Sequence, residues 1–174
     1  MQSAFIEIGL DRTAFLFAGD LADENGDEGS DDPEAGESTI RPITPIADRL
    51  SEGQDLIVQV AKEPMGTKGA RVTSQITLPG RHVVYMPTVR HVGVSRRIQD
   101  ESERERLRSL AERLCPTEGG IIVRTAGEGF EEDALSEDLD LLLKLWKDLC
   151  QRADSARPPT LLHQDLDLAL QAAR

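Results

Sequence analysis

Short hydrophobic segments separated by glycine-containing turns fill the first half of the chain. They cover residues 4–8, 14–17, 56–60, 71–78 and 82–86, and β-branched and aromatic residues recur in them. Segments of this length and composition predict strands. The Gly-Thr-Lys-Gly turn at 66–69 predicts a hairpin between two of them. Several short strands joined by glycine turns indicate a small antiparallel β-barrel.

The second half of the chain changes to a helical period. Apolar residues spaced three and four apart predict one helix over 100–114 and a longer one over 133–151. Between them, residues 120–125 predict a buried strand with a polar end. Pro158-Pro159 ends the second helix, and a third helical segment is predicted to begin near Leu161. The fold class is therefore predicted as α+β.

Charge is distributed unevenly along the 174 residues, whose formal net charge is −12. Nine acidic residues and no basic residue lie in 20–37, and we predict a solvated, mobile loop over 20–40. Its acids partly match the spacing of a calcium loop, but Glu28 stands where the sharp turn needs glycine. Residues 62–97 instead hold seven basic residues against one acid. Either an anionic ligand or scattered solvated charges explain that segment.

Several function classes are excluded or disfavoured by the sequence. Two cysteines, Cys115 and Cys150, cannot form a disulfide framework and are expected to fill the core. No apolar run is long enough to span a membrane, and the N-terminus lacks a signal-peptide pattern. We therefore expect a cytoplasmic protein. The glycine patterns of nucleotide-binding loops and the spacing of metal-binding histidines are also absent.

Two constellations carry candidate chemistry. Arg124 and Thr125 end an apolar strand, where a guanidinium fork and a hydroxyl suit a phosphate. Phe5 and Phe15 on the first strands, with Lys62 and Lys68, would suit base stacking and phosphate contact on a barrel. The alternatives remain open, since Arg124 could be an ordinary surface charge and both phenylalanines could belong to the core.

Four ordered strings give the chain a resemblance to a known family. They are GLDRTAFL, GQDLIVQVAKEPMGTKGARVTSQITLPG, HVGVSRRIQDESERERLRSLAE and GGIIVRTAGEG. Together they resemble the ribonuclease E/G family throughout, and the wording PMGTKGAR and HVGVSRRI is more similar to its ribonuclease G branch. The resemblance covers nearly the whole chain except the acidic loop.

The resemblance implies a domain organisation. Residues 1–74 resemble most of an S1-type RNA-binding barrel of the oligonucleotide-binding fold, incomplete at its start and interrupted by the acidic loop. Residues 75–168 resemble the mixed α/β 5′-sensor domain, which recognises a 5′ monophosphate on RNA. Residues 169–174 would begin an RNase H-like domain. The chain is thus expected to be a middle piece of a longer protein.

Site residues follow from the same resemblance. Arg124 and Thr125 would bind the 5′ phosphate, and Gly80 and Val84 would line that pocket. Phe5, Phe15 and Lys68 would contact single-stranded RNA, and the basic segment adds three further candidates, Lys62, Arg96 and Arg97.

The resemblance also implies an endoribonuclease that acts in rRNA processing and mRNA decay. Its catalytic aspartates and their Mg²⁺ would lie in a later domain, so this chain alone is expected to hold no catalytic residue, to bind no metal and to cleave nothing. A homo-oligomer is expected for the full-length protein. Two alternatives remain: a stand-alone, non-catalytic RNA-binding module, and a fragment that folds poorly and binds nothing.

Overall fold

The computed structural model describes residues 2–22 and 44–164. Most of the predicted acidic loop, including the calcium-like spacing, and the segment after residue 164 lie outside these ranges. Within them the strands are β1 (Ser3–Ile6), β2 (Ala14–Phe17), β3 (Gln59–Lys62), β4 (Arg71–Thr73), β5 (Leu78–Pro79), β6 (Val83–Met86), β7 (Val92–Val94) and β8 (Gly120–Val123). The α-helices are α1 (Ile46–Arg49), α2 (Glu101–Leu114) and α3 (Glu132–Ser155).

The first sheet has the order β1-β2-β4-β3. β1 and β2 pair antiparallel, β2 and β4 parallel, and β3 and β4 antiparallel. Alternation along the strands places Leu16 and Val72 in a small core with Ala14, Ala70 and Ile46. The described strands form an open sheet, and the incomplete S1-type barrel stays a prediction.

The strand predicted over 71–78 is wrong as a single element. It divides into β4 and β5, which belong to different sheets. Polar groups bend the intervening residues: the backbone N–H of Ser74 donates to the carbonyl of Asp20 at 2.9 Å, and that of Ile76 donates to the hydroxyl of Thr88 at 3.0 Å. The bend sends Ile76 into the core of the second sheet.

The second sheet has the order β5-β6-β8-β7, with β6 antiparallel and β7 parallel to β8. One of its faces is covered by α2 and α3. Tyr85, Ile121 and Val123 are buried on that face. Val84 and Ile122, which are paired in register, are half-buried on the opposite face. This opposite face contributes to the cavities described below.

The helix predicted over 100–114 is confirmed to within one residue, and Asp100 caps it by accepting from the backbone N–H groups of Ser102 and Glu103. α3 runs four residues beyond the predicted end. Residues 161–164 are not helical, so the helix predicted to start near Leu161 is not present there. Strand β7 was not predicted, because its three residues around Gly93 are too few to show an alternation of hydrophobic and polar positions.

Candidate RNA-binding surfaces

A cavity of about 440 Å³ lies where β8 ends; we call it the strand-end pocket. Val94 of β7 lies beside Val123 of β8 in parallel register, so the residues that follow the two strands meet at one edge of the sheet. The lining residues are Ser95, Arg97, Ile122, Val123, Arg124, Thr125 and Ala126. The pocket thus combines the predicted pair Arg124-Thr125, at the end of β8, with Ser95 and Arg97, which follow the end of β7.

Arg124 is held by the loop before β6. Its backbone N–H donates to the carbonyl of His82 at 2.8 Å, and its Nη1 donates to the carbonyl of Gly80. The side chain is nevertheless exposed. One guanidinium nitrogen therefore fixes the fork, while the fork has further N–H donors to offer a ligand.

Two residues with hydroxyl groups, Ser95 and Thr125, line the same cavity as Arg124. The Oγ of Ser95 and the Oγ1 of Thr125 are 2.9 Å apart, and either can donate to the other. The backbone N–H of Arg97 points to Ser95 Oγ at 3.4 Å. A fork and two hydroxyls form a donor set for an anion with several oxygens. Ser95 was missed from the sequence because it is 30 residues from Thr125 and only the β7–β8 pairing joins them.

Asp138 of α3 organises the loop that holds Arg124. Its carboxylate accepts from the backbone N–H groups of Arg81 at 3.1 Å, His82 at 2.7 Å and Val83 at 3.0 Å. A Cβ atom built at Gly80 would lie 2.5 Å from Asp138 Oδ2, so only glycine fits there without displacement. Gly80 therefore contributes a carbonyl to Arg124 and a close approach to Asp138, and it does not itself line the cavity.

Contacts with His82 and Glu103 hold the turn that follows Thr125. His82 is buried, its Nδ1 lies 2.8 Å from the carbonyl of Ala126, and its ring centroid is 4.2 Å from that of Phe130. Glu103 of α2 accepts from the backbone N–H of Gly129 at 2.8 Å and from the guanidinium of Arg106. These hydrogen bonds lower the pKa of Glu103 to about 2, and the bond with Arg106 has the largest effect.

A second surface is a row of side chains across the first sheet. Strand registers place Phe5 beside Phe15, Phe15 beside Arg71, and Arg71 beside Lys62. We call these four residues the aromatic–cation row. The rings of Phe5 and Phe15 meet edge to face at a centroid distance of 5.8 Å. Phe5 is 63% exposed, so the alternative that both phenylalanines are core residues is wrong for Phe5.

Phe17 and Asp20 extend this row and were not predicted as site residues. Phe17 is 42% exposed, and its ring centroid lies 4.4 Å from that of Phe15. Asp20 was predicted to begin the solvated loop, but its carboxylate pairs with the Arg71 guanidinium at 2.8 Å. A sequence signal for Phe17 existed, because it lies two residues from Phe15 on the same face of β2.

The other predicted residues are placed as follows. Val84 lies beside Ile122 on the sheet rather than in the pocket lining. Lys68 is exposed in the turn between β3 and β4, where it pairs with Met65 through the backbone, and it lies outside the aromatic–cation row. Arg96 is exposed beside the pocket residues Ser95 and Arg97.

The model of the Ribonuclease E/G family matches residues 77–174. The chain belongs to the ribonuclease E/G family. It is 48% identical to "Ribonuclease G" of Haemophilus influenzae over 87% of this chain and 30% of that protein. It is 44% identical to "Ribonuclease G" of Escherichia coli K12 over all of this chain and 35% of that protein. It is 43% identical to "Ribonuclease E" of Nostoc over all of this chain and 24% of that protein.

The chain thus spans about a third or less of these relatives. Membership of the family confirms the resemblance found in the motif strings. Among the described residues, no group of three or more His, Cys, Asp or Glu side chains is arranged to hold a metal ion. None of the helices in the described ranges is both long and apolar enough to cross a membrane.

Burial raises the pKa of both thiols, Cys115 and Cys150. A raised pKa reduces the thiolate fraction, which makes neither cysteine a favourable nucleophile. Cys115 is half-buried against the core of the second sheet, in agreement with a packing role, and Cys150 is half-buried as well.

Proposed function

We propose that this chain is the RNA-binding and 5′-monophosphate-sensing portion of a single-strand-specific endoribonuclease of the ribonuclease E/G family. The observation that carries the proposal is the strand-end pocket, whose lining brings Arg124 together with Thr125 and Ser95, the last two joined by a hydrogen bond between their hydroxyls. The aromatic–cation row would hold the RNA chain on the first sheet.

The pocket chemistry favours a terminal phosphate over a hydroxyl. A 5′ monophosphate carries between one and two negative charges and three strong acceptor oxygens. Arg124 can donate to one or two of these oxygens, and Thr125 or Ser95 can donate to another. Each charge-assisted bond contributes about 1.5–3 kcal/mol, so one or two of them imply a preference of about 10- to 100-fold after competition from water.

The aromatic–cation row suits RNA without selecting a sequence. Aromatic faces stack bases, and cations next to them hold the phosphate chain. Phe5 and Phe15 provide the faces and Lys62 provides an exposed ammonium. We therefore assign general RNA capture to this row, with Lys68 and Arg96 as further contacts, and discrimination of the 5′ end to the strand-end pocket.

Hydrolysis is assigned to the longer protein. Within the described ranges, no three or more His, Cys, Asp or Glu side chains come together to hold a metal ion. We propose that this chain alone cleaves no RNA and that the intact enzyme acts in rRNA processing and mRNA decay, with Mg²⁺, as a cytoplasmic homo-oligomer. Cleavage by the pure chain that requires Mg²⁺ and stops with EDTA would refute the first of these statements.

The test is fluorescence anisotropy with one short single-stranded RNA that carries either a 5′ monophosphate or a 5′ hydroxyl. We expect tighter binding of the monophosphate RNA by the wild-type chain and equal binding of both RNAs by Arg124→Ala. Arg108→Ala, an exposed change on α2, is the matched control and should keep the preference. Equal, salt-sensitive binding of both RNAs by the wild type would contradict the sensing role and leave general RNA capture.

A further inference from the structure

We propose that the Arg71 guanidinium is a stacking platform for one unpaired nucleobase, which enters the cleft between the two sheets. The inference rests on the proposed binding of single-stranded RNA and adds a base-binding subsite to it. It depends on two observations: the Arg71 guanidinium lies over the Phe17 ring, and Arg71 lines the cavity in this cleft.

The guanidinium plane is fixed before any ligand binds. The Cζ of Arg71 lies 4.9 Å from the centroid of the Phe17 ring. Arg71 Nε donates to Asp20 Oδ2 at 2.9 Å, and Nη2 donates to Oδ1 at 3.1 Å. A bidentate carboxylate and an aromatic face together hold the guanidinium in one orientation.

The same contacts determine which part of the Arg71 guanidinium can bind a ligand. Asp20 occupies the Nε–Nη2 edge of Arg71 and offsets its charge, so the guanidinium attracts a phosphate less strongly than an unpaired arginine would. Asp20 does not use the planar faces of the guanidinium, and the Phe17 ring covers one of them. The opposite face is left for a base, and the side chain is 43% exposed. Guanidinium planes stack on unpaired RNA bases as aromatic rings do. Arg71 is therefore better placed to contact a base than a backbone phosphate.

The cleft next to Arg71 has the size and walls that a base requires. Its cavity of about 590 Å³ falls within the range of small-molecule sites. Apolar side chains from the second sheet and the loop that follows β6 line its far side, among them Met86, Val89 and Ile122. The lining also includes the polar residues Thr73 and His91.

An RNA chain that crosses Ile122 would reach both the cleft and the strand-end pocket. Ile122 lines both this cavity and the strand-end pocket, so the two sites adjoin on one face of the second sheet. Lys62, the neighbour of Arg71 in the row, lines the cleft as well and offers an exposed ammonium to the phosphate next to the stacked base.

The test uses the full chain and a short oligouridylate with a 5′ hydroxyl, so that the 5′-phosphate preference is not measured. Arg71→Lys keeps the charge and an ion pair with Asp20 but removes the plane, and Phe17→Leu removes the ring beneath it. We expect each variant to bind about 5- to 100-fold more weakly, since one stacked base is lost. The slope of log affinity against log salt should stay unchanged in Arg71→Lys, because no charge is lost.

Matched controls separate this effect from general changes. Arg108→Lys and Leu141→Ala make the same kinds of change at exposed positions on α2 and α3 and should bind like the wild type. Thermal melts by circular dichroism establish that the Arg71→Lys and Phe17→Leu chains are folded. A series of oligouridylates, each with the base removed from one ribose, locates the subsite. We expect the wild type to bind one member of the series more weakly than the intact RNA. Arg71→Lys should bind that member and the intact RNA equally, because the stacking contact is already lost.

Wild-type affinity in a folded Arg71→Lys chain would overturn the inference, as would failure of the wild type to bind the 5′-hydroxyl RNA. Neither result bears on whether a monophosphate is preferred, which the strand-end pocket decides. Conversely, loss of the monophosphate preference with an intact Arg71 effect would refute sensing and leave the stacking subsite in place.

Discussion

Asp138→Asn is the substitution that tests most directly how the strand-end pocket is built. The Asp138 carboxylate accepts three backbone N–H groups from residues 81–83, two at Oδ2 and one at Oδ1. Asparagine keeps one acceptor oxygen and places an NH₂ group where the other acceptor was. The oxygen can still accept two bonds, so at least one N–H of the loop loses its partner and the charge is lost as well.

The magnitude follows from that count. A hydrogen bond to a charged group contributes about 1.5–3 kcal/mol, and an unsatisfied donor adds a cost of similar size. The loop it holds presents the Gly80 carbonyl that fixes the Arg124 fork. If the loop shifts, the Gly80 carbonyl no longer fixes the fork in its orientation. A loss of about 1.5–3 kcal/mol would remove most of a 10- to 100-fold preference for the 5′ monophosphate.

The assay is anisotropy with monophosphate and hydroxyl RNAs, together with a thermal melt. We expect Asp138→Asn to lower affinity for the monophosphate RNA and leave affinity for the hydroxyl RNA unchanged. Asp140→Asn, an exposed change two residues along the same helix, is the control and should keep the preference. A folded Asp138→Asn chain with an unaltered preference would show that Arg124 does not depend on this loop.

Three further predictions concern the same region. Arg124→Lys should recover only part of the monophosphate preference, because an ammonium cannot reproduce the fork, and full preference in the anisotropy assay would argue against the pocket. Gly80→Ala should lower the melting temperature and the preference together, since its Cβ would collide with Asp138; a variant with wild-type values for both would contradict the close approach. The pKa of Glu103 is lowered from 4.5 to about 2. Its contribution to folding stability is therefore complete above about pH 4.5 and is lost as the pH falls towards 2. Thermal melts between pH 2 and 6 should show a smaller fall in melting temperature for Glu103→Gln than for the wild type.

Local pattern explains the parts of the fold that were predicted correctly. The stripe of Leu107, Leu110 and Ala111 fixes α2, and all three residues are buried. The two aromatics and Arg124-Thr125 were found because the chemistry of each lies in one short segment. Residue spacing alone did not decide whether these residues bind RNA or serve as core and surface residues. The family resemblance made them candidate site residues.

The missed features depend on contacts between distant residues. Ser95 reaches Thr125 only through the parallel pairing of β7 with β8. Asp138 is one acid among many on α3, and only its approach to residues 81–83 distinguishes it. Residues 71–78 read as one strand because alternation continues through them, but hydrogen bonds to Asp20 and Thr88 bend the backbone. No local pattern encodes these partners.

The two candidate sites belong to different sheets, and this division has a functional consequence. The aromatic–cation row is carried by β1 to β4, whereas the strand-end pocket is fixed by β7, β8, α3 and the loop before β6. The residues that hold Arg124 do not belong to the row, so a change in the pocket need not disturb the row. General RNA affinity and discrimination of the 5′ end should therefore be separable by mutation. Ile122, which lines both cavities, is the exception. A smaller residue there should alter both properties together, because the RNA would cross that position between the cleft and the pocket.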